Sequence, residues 1–275
     1  MTGLTIQKNH KLGKSGDIKY MKISIVTVVF NAINTIEDTI QSVASQTYSN
    51  IEHIVVDGAS TDGTLSILNR HHNKLAQLVS EPDSGIYDAM NKGIDMATGD
   101  IIGTLNADDF YCDDTVLCQV AETFSDPAVD ACFADLVYVD RLDPAKIIRY
   151  WKSGDYKDGL IERGWMPAHP TFFVRRSIYE KFGTFDLDFP RQSDFELTMR
   201  FLAIHQIKSQ YVPKIWIKMR MGGISNNSIS GVIKGNLEAY RACRKHGINV
   251  GVFFIPRKIF SRLPQFFKKP DIKVT

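Results

Sequence analysis

Residues 23–30, ISIVTVVF, are apolar or β-branched at nearly every position, and such a run is stable only as a strand covered on both faces. A parallel sheet with helices on either side supplies the two covers. Asn31 ends the run, and Ile36, Ile40 and Val43 then recur at helical spacing, which predicts a helix over about residues 34–46. Residues 52–57 (EHIVVD) predict the second strand, closed by the turn GASTDG and followed by a helix carrying Leu65 and Leu68. The alternation continues through a strand at 75–80, a helix with Ile86, Met90, Ile94 and Ala97, and a strand at 101–105. Strand and helix in turn mark right-handed βαβ units, so the fold class expected is α/β with an open sheet. Beyond residue 130 the order is irregular. Strands are expected at 131–134, 147–151 and 171–174, and helices at 176–182, 194–204 and 228–246, which reads as mixed or antiparallel additions to the sheet.

Composition narrows the class of partner. The chain has 275 residues, 44% hydrophobic, and 33 Lys plus Arg stand against 31 Asp plus Glu. A chain of this length buries roughly 75% of the surface its unfolded form exposes, so it needs neither a disulfide nor a structural metal. Near-neutrality argues against a nucleic-acid partner, which would call for a strongly basic domain. Cys112, Cys118, Cys132 and Cys243 form no C-x-x-C pair and have no His at zinc-like spacing, so they read as reduced thiols of a cytoplasmic protein. Residues 1–20 are polar, carry no signal-peptide stretch and are expected to be a disordered extension. No window reaches the ~18 apolar residues of a membrane span, so any membrane contact would be peripheral.

In an open α/β sheet, ligands bind beyond the carboxyl ends of the strands. Those ends are polar and mostly acidic here: Asn31 after the first strand, Asp57 after the second, Glu81 and Asp83 after the third, and Asn106, Asp108 and Asp109 after the fourth. A lone loop carboxylate is more often a cap or a solvated residue, and Asp62 reads as the N-cap of the helix that follows it. Adjacent Asp108 and Asp109 at the mouth of the sheet repel each other. A divalent cation, Mg²⁺ or Mn²⁺, relieves that repulsion with one or two protein carboxylates while diphosphate oxygens fill other positions. Neither G-x-x-x-x-G-K-[ST] nor G-x-G-x-x-G occurs after the first strand, which removes kinases, NTPases and NAD enzymes.

The stretches SIVTVVFN, VVDGASTDGT, EPDSGIYDAMNKG, GDIIGTLNADDF and QSDFELTMRF, in this order, resemble the successive motifs of glycosyltransferase family 2, inverting enzymes of GT-A fold. The resemblance spans about residues 22–226. It implies that Thr27, Val29 and Asn31 line a nucleotide pocket, that Asp57 recognises the base, usually uracil, and that Asp83 belongs to the sugar-nucleotide loop. Asp108 and Asp109 match the D-x-D-type metal and ribose-diphosphate motif, with Asp109 the direct ligand; Asn106 stands where the family pattern begins with Asp. Asp194 matches the catalytic base. Glu196 is its competitor, but residues two apart on a helix point to different sides. An inverting transfer needs one such carboxylate to take the acceptor proton, whereas retaining hydrolysis needs a pair flanking the bond. His169, between prolines, matches a family His beside the acceptor or diphosphate, and reads equally as a loop residue. Arg220, in RMGGIS, resembles the start of a flexible loop over the donor, and reads equally as part of a surface turn.

The activity so implied is transfer of a sugar from a nucleotide-sugar donor, UDP-linked hexose or N-acetylhexosamine, to a saccharide acceptor carried on polyprenyl diphosphate, in O-antigen, capsule or exopolysaccharide assembly. The alternative is a catalytically silent sugar-nucleotide-binding or scaffold protein, against which the intact Asp108, Asp109 and Asp194 speak. A sugar-phosphate nucleotidyltransferase would need a Gly- and Arg-rich loop in place of VVFNAINT. A processive synthase would need Q-x-x-R-W and membrane spans. The expected division is a GT-A domain over 21–227, its nucleotide-sugar half at about 21–110 and its acceptor half at 111–227, followed by C-terminal helices over 228–275. Residues 256–275 hold six Lys or Arg against Asp271, interleaved with Ile259, Phe260, Leu263, Phe266 and Phe267 on one helical face. Such a basic amphipathic tail is expected to rest on an anionic membrane surface, through about residues 250–270, at the inner face of the cell membrane. A terminal helix packed on its own core, or a nucleic-acid-binding tail, is the competing reading.

Overall fold

The computed structural model describes residues 21–222, 229–267 and 270. The proposed extension at 1–20 lies outside the described residues, as do Gly223–Ser225 of the loop expected over the donor. The parallel half follows the sequence closely. Strand β1 (Ile23–Val29) pairs in parallel with β2 (Ile51–Asp57) and β4 (Ile101–Asn106), and β2 pairs with β3 (Gln77–Ser80). Helices α1 (Ile36–Ala44), α2 (Thr64–Arg70) and α3 (Ile86–Met96) are the crossovers. Side chains alternate across a strand, and the two covers can be read from that period of two. Val26 and Val28 of β1 and Ile54 and Val56 of β2 pack with Met90 and Ile94 of α3, whereas Val29 and Val55 pack with Ile36, Ile40, Ile67 and Leu68 of α1 and α2. Both faces of β1 are therefore covered, as its composition demands.

The second half extends the same sheet. Its order is β3-β2-β1-β4-β8-β6-β9-β5, with β7 on the far side of β6. Here β5 is Asp109–Tyr111, β6 Ala131–Val139, β7 Ile147–Trp151, β8 Phe173–Arg175 and β9 Ser209–Arg220, with α4 (Val116–Thr123) after β5. Pairing is antiparallel at β4–β8, β8–β6, β6–β7 and β5–β9, and parallel at β6–β9. Three elements escape the sequence pattern. β5 has only three residues, α4 falls where the pattern assigns no element, and β9 is 12 residues of mixed polarity, SQYVPKIWIKMR, with Gln210, Pro213 and Lys214 exposed. The strand expected at 171–174 splits into a 3₁₀ turn, His169–Thr171, and β8. The helix expected at 194–204 becomes α6 (Ser193–Met199) running into a π-helical turn, Arg200–Ile204. α5 (Arg176–Phe182) links β8 to this region.

The C-terminal segment packs on this half. α7 (Ile229–Lys245) and α8 (Phe254–Phe260) bury Ala239, Ala242, Cys243, Val250 and Phe254 against Ile161, Phe189, Phe195 and Met199. The continuous amphipathic helix expected over the tail is instead α8 and a short 3₁₀ turn, Leu263–Phe266. Lys258, counted in the basic face, points inward and is 1% exposed. The outward face keeps Val252, Phe253, Phe260, Leu263, Phe266 and Phe267, all at least 48% exposed.

Candidate active site

At the carboxyl end of β1 the chain turns through Asn31, whose φ of 50° is a left-handed conformation that Asn tolerates better than most residues. Its N–H donates to Ser60 Oγ at 2.8 Å, and its Oδ1 accepts the Thr61 N–H at 2.9 Å. Asp57, at the end of β2, is fully buried. Its carboxylate accepts from the Ser60 N–H at 3.1 Å, from Ser60 Oγ, and from Ser80 Oγ at 2.6 Å. Asp57 thus presents itself as the anchor of the Gly58–Ser60 turn rather than as an open acceptor. Asp83 crosses to the same turn: a Cβ on Gly58 would lie 2.4 Å from Asp83 Oδ2 and 3.4 Å from the Phe30 ring, so a side chain there would have to displace the Asp83 carboxylate. Thr27 sits lower, with its hydroxyl 2.9 Å from His53 Nε2, and is fully buried beside the 4% exposed Val29. Asp62 accepts the Thr64 N–H at 3.0 Å and the Ile33 N–H at 3.1 Å, although the residue before α2 is Gly63, so Asp62 caps from one position upstream and ties α2 to the loop after β1.

The acidic pair lies where β4 gives way to β5. Asp109 is fully buried, and Asn106 Nδ2 donates to its Oδ2 at 3.0 Å. Burial pushes the Asp108 carboxyl up; burial and the Asp108 charge push Asp109 well above the usual carboxylate range. Pairing of β5 with β9 sets Asp109 opposite Met219 and so brings Arg220 to the pair. Arg220 is not on a loop. It ends β9, is 8% exposed, donates to the Asp108 carbonyl at 3.2 Å, ion-pairs with Asp38 and lies 4.7 Å over the Phe110 ring.

On the other side of the crevice, α6 opens with Asp194, half-buried, whose Oδ1 accepts the Phe195 N–H at 2.8 Å. Glu196 faces away from the crevice. It is fully buried and holds Arg200 Nε at 2.8 Å and His246 Nε2 at 2.7 Å. His169 is buried, with Nε2 3.3 Å from Thr104 Oγ1 and its ring edge-on to Phe185; burial lowers its pKa, and Asp194 works against that shift. Tyr138 on β6 is buried with the Arg149 guanidinium 4.7 Å from its ring centroid; burial pushes its hydroxyl up, and Arg149 and Arg262 oppose this.

The sequence profile of the family "Glycosyl transferase family 2" matches residues 24–183. The chain belongs to glycosyltransferase family 2. A PGL/p-HBAD biosynthesis glycosyltransferase of Mycobacterium tuberculosis is 28% identical over 87% of this chain and 92% of its own length. Among solved structures, the mannosyltransferase PcManGT from Pyrobaculum calidifontis, in complex with GDP-Man and Mn²⁺, superposes with a TM-score of 0.63 at 20% identity, covering 89% of this chain and 71% of that one. Residues 1–349 of S. aureus TarS in complex with UDP-GlcNAc give 0.62 at 17% identity, covering 90% and 73%. These likenesses establish a curled mixed sheet flanked by helices, similar to GT-A glycosyltransferases.

In this family 2 glycosyltransferase the acidic pair suits a divalent cation. Asp109 Oδ1 and Asn106 Oδ1 are both buried without a hydrogen-bond partner, and orphaned hard oxygens beside a second carboxyl are what such an ion satisfies. Among the described residues no three His, Cys, Asp or Glu gather around one point, so a bound ion would draw its remaining ligands from donor oxygens and water. Sequence reasoning missed Phe30, 56% exposed beside Gly58 and Asp83, and Tyr87, whose hydroxyl is pushed up by burial and by Asp194. An aromatic at the end of an apolar strand was the available signal for Phe30. Tyr87, on α3, lies within the motif EPDSGIYDAMNKG, but its relation to Asp194, more than a hundred residues away, is set only by the fold.

Proposed function

We propose that the chain is an inverting, metal-dependent transferase that moves a hexose or N-acetylhexosamine from a UDP-linked donor to a hydroxyl of a lipid-diphosphate-linked saccharide, in assembly of O-antigen, capsule or exopolysaccharide. The buried acidic pair carries this reading: Asp109 Oδ1 and Asn106 Oδ1, left without hydrogen-bond partners at the carboxyl end of the parallel sheet, support a diphosphate end there. Asp194 takes the proton of the acceptor hydroxyl as that oxygen attacks the anomeric carbon. The bond from that carbon to the diphosphate breaks, and the electron pair leaves with the UDP. Asn31, Asp83 and the Gly58–Ser60 turn held by Asp57 hold the nucleotide, and Arg220 steadies the diphosphate end. Mn²⁺ or Mg²⁺, held by Asp109 with Asp108 and Asn106 beside it, would supply positive charge against the departing diphosphate. His169, packed against Thr104 and Phe185, lines the acceptor side. UDP and UDP-GlcNAc in the TarS neighbour and Mn²⁺ in PcManGT are consistent with this choice of donor and metal. On this reading 21–227 is the catalytic unit and 228–275 its C-terminal helical attachment.

No described helix is long and apolar enough to cross a membrane. The exposed Val252, Phe253, Phe260, Leu263, Phe266 and Phe267, with Arg257 and Arg262 among them, support peripheral binding to an anionic lipid surface, where a lipid-linked acceptor would be met. The test is UDP release from a panel of UDP-sugars with synthetic lipid-diphosphate acceptors, with and without Mn²⁺, and the anomeric configuration of the product by NMR. Inversion supports the single-base mechanism. Retention of configuration overturns it, and donor binding without turnover for any acceptor favours the silent scaffold.

A further inference from the structure

Helix α8 turns a lysine inward beside its buried Phe254, while Phe260 faces outward. Lys258 is 1% exposed, its ammonium donates to Gln192 Oε1, and its Nζ lies 4.3 Å from the centroid of the Phe195 ring. Both partners belong to the start of α6. Gln192 precedes the helix, and its carbonyl accepts the first-turn N–H of Glu196 at 2.9 Å while its amide donates to the Arg191 carbonyl at 2.9 Å. Phe195 is fully buried in the first turn. The ammonium therefore grips one residue on each side of the pair Ser193-Asp194.

The backbone of Lys258 meets the turn ahead of His169. Gly164 closes the 3₁₀ turn Ile161–Arg163 at a φ of 81°, and a Cβ there would fall 2.4 Å from Lys258 Cβ and 2.8 Å from its Cα. Five residues after this glycine comes His169. The backbone of α8 is thus seated directly on the turn that leads to His169, while its side chain reaches the cap of the helix that carries Asp194.

An inward lysine is a costly way to fill this space. Burial, with Arg262 adding to it, pushes the ammonium down to about 7, and Asp194 and Cys243 act in the opposite direction. Methionine would fill a similar volume without desolvating a charge. What methionine lacks is a donor for Gln192.

We propose that Lys258 is a positioning residue for the acceptor-side chemistry: from the C-terminal segment it fixes the start of α6, and with it the direction of the Asp194 carboxylate, against the turn leading to His169. This rests on Asp194 as the base. A carboxylate displaced by about 1 Å can cost on the order of a hundredfold in rate while leaving distant binding contacts untouched.

The experiment is Lys258→Met in the full chain, with kcat, the KM of the donor, UDP affinity in Mn²⁺ and thermal melting measured together. The expected result is a fall in kcat of about 10- to 100-fold, with donor KM and UDP affinity unchanged and a melting temperature equal to or above that of the parent. Gln192→Met, which keeps Lys258 and removes its acceptor, approaches the contact from the other side and should lower kcat in the same selective way. Full turnover in either folded variant overturns the proposal, as does a loss of kcat matched by an equal loss of UDP affinity, the mark of general loosening. Asp194→Asn is assayed alongside. If it is inactive while Lys258→Met is fully active, only the role of Lys258 falls; if Asp194→Asn retains turnover, the base assignment falls and takes this proposal with it.

Discussion

Asp194 and Glu196 sit two residues apart on one helix, and their surroundings predict opposite failures. Asp194 is half-buried at the crevice and hydrogen-bonded to the Phe195 N–H, a contact that asparagine can also make. Asp194→Asn should therefore leave stability within about 0.5 kcal/mol of the parent and lower transfer by the contribution of a general base, roughly 10²–10⁴-fold. Glu196 is fully buried between Arg200, 11% exposed, and His246, and Arg200 also donates to the carbonyls of Phe182, Gly183 and Thr184. Glu196→Gln removes the charge that balances a buried guanidinium, which costs about 3–5 kcal/mol. At roughly 2–4 °C per kcal/mol for a domain of about this size, the melting temperature should fall by on the order of 6–20 °C. The assay is UDP release under saturating substrates at a temperature well below both transitions, paired with a thermal melt of each variant. Asp194→Asn should be folded and slow, Glu196→Gln active but heat-labile. A Glu196→Gln protein that melts with the parent but does not turn over, beside an active Asp194→Asn, would exchange the two roles and refute the reasoning.

Three further outcomes follow from the same coordinates. Asn106→Ala removes the donor to Asp109 Oδ2 and an orphaned oxygen beside it, and should weaken Mn²⁺-dependent UDP binding by about 10–100-fold, read by calorimetry; equal affinity would remove Asn106 from the site. His53 is buried, and desolvation lowers its pKa from 6.5 to about 4. The unfolded chain therefore takes up a proton that the folded chain refuses, and the stability this histidine confers is present above pH 6.5 and lost as pH falls toward 4, by about 3 kcal/mol. Urea titrations across that range should show a shallower acid loss for His53→Phe, and identical slopes would sink the argument. Finally, Phe260→Asp with Phe267→Asp, both at exposed positions, should reduce sedimentation with anionic liposomes without moving the melting temperature. Undiminished binding would place the lipid contact elsewhere or nowhere.

The parallel half was legible because its information is local. β1 is buried on both faces and says so in seven consecutive residues, the period of two in Val26, Val28 and Val29 separates the two covers, and each crossover helix carries its own apolar stripe. The acids at the strand ends follow from the topology alone. β9 was illegible because exposed Gln210, Pro213 and Lys214 are followed by three buried residues in a row, Ile215, Trp216 and Ile217, which breaks the alternation a strand of this length would otherwise show, and its pairing with β6 and β5 is not local. Arg220 was misassigned with it: read as a loop residue, it is placed at the acidic pair only by the β5–β9 register. Lys258 was misread for a similar reason. Its charge suggests solvent, and only the position of α6 reveals that a buried partner is waiting for it.

The site's two ends come from parts of the chain with different kinds of support. The acidic pair lies between β5, which pairs with β9, and β4, which is paired in parallel with β1 and buried along five of its six residues. Asp194 hangs on a seven-residue helix that continues into a π-helical turn, geometry that seldom persists without outside contacts. Those contacts are present: Arg200 ties the π turn to the carbonyls of residues 182–184, His246 ties Glu196 to the end of α7, and Lys258 ties Gln192 to α8. Two of the three come from the C-terminal helices, far away in sequence. The base helix is therefore expected to loosen before the acidic pair does. Hydrogen exchange should show faster opening of 193–204 than of 101–106, with the gap widening when the contact from Lys258 is removed.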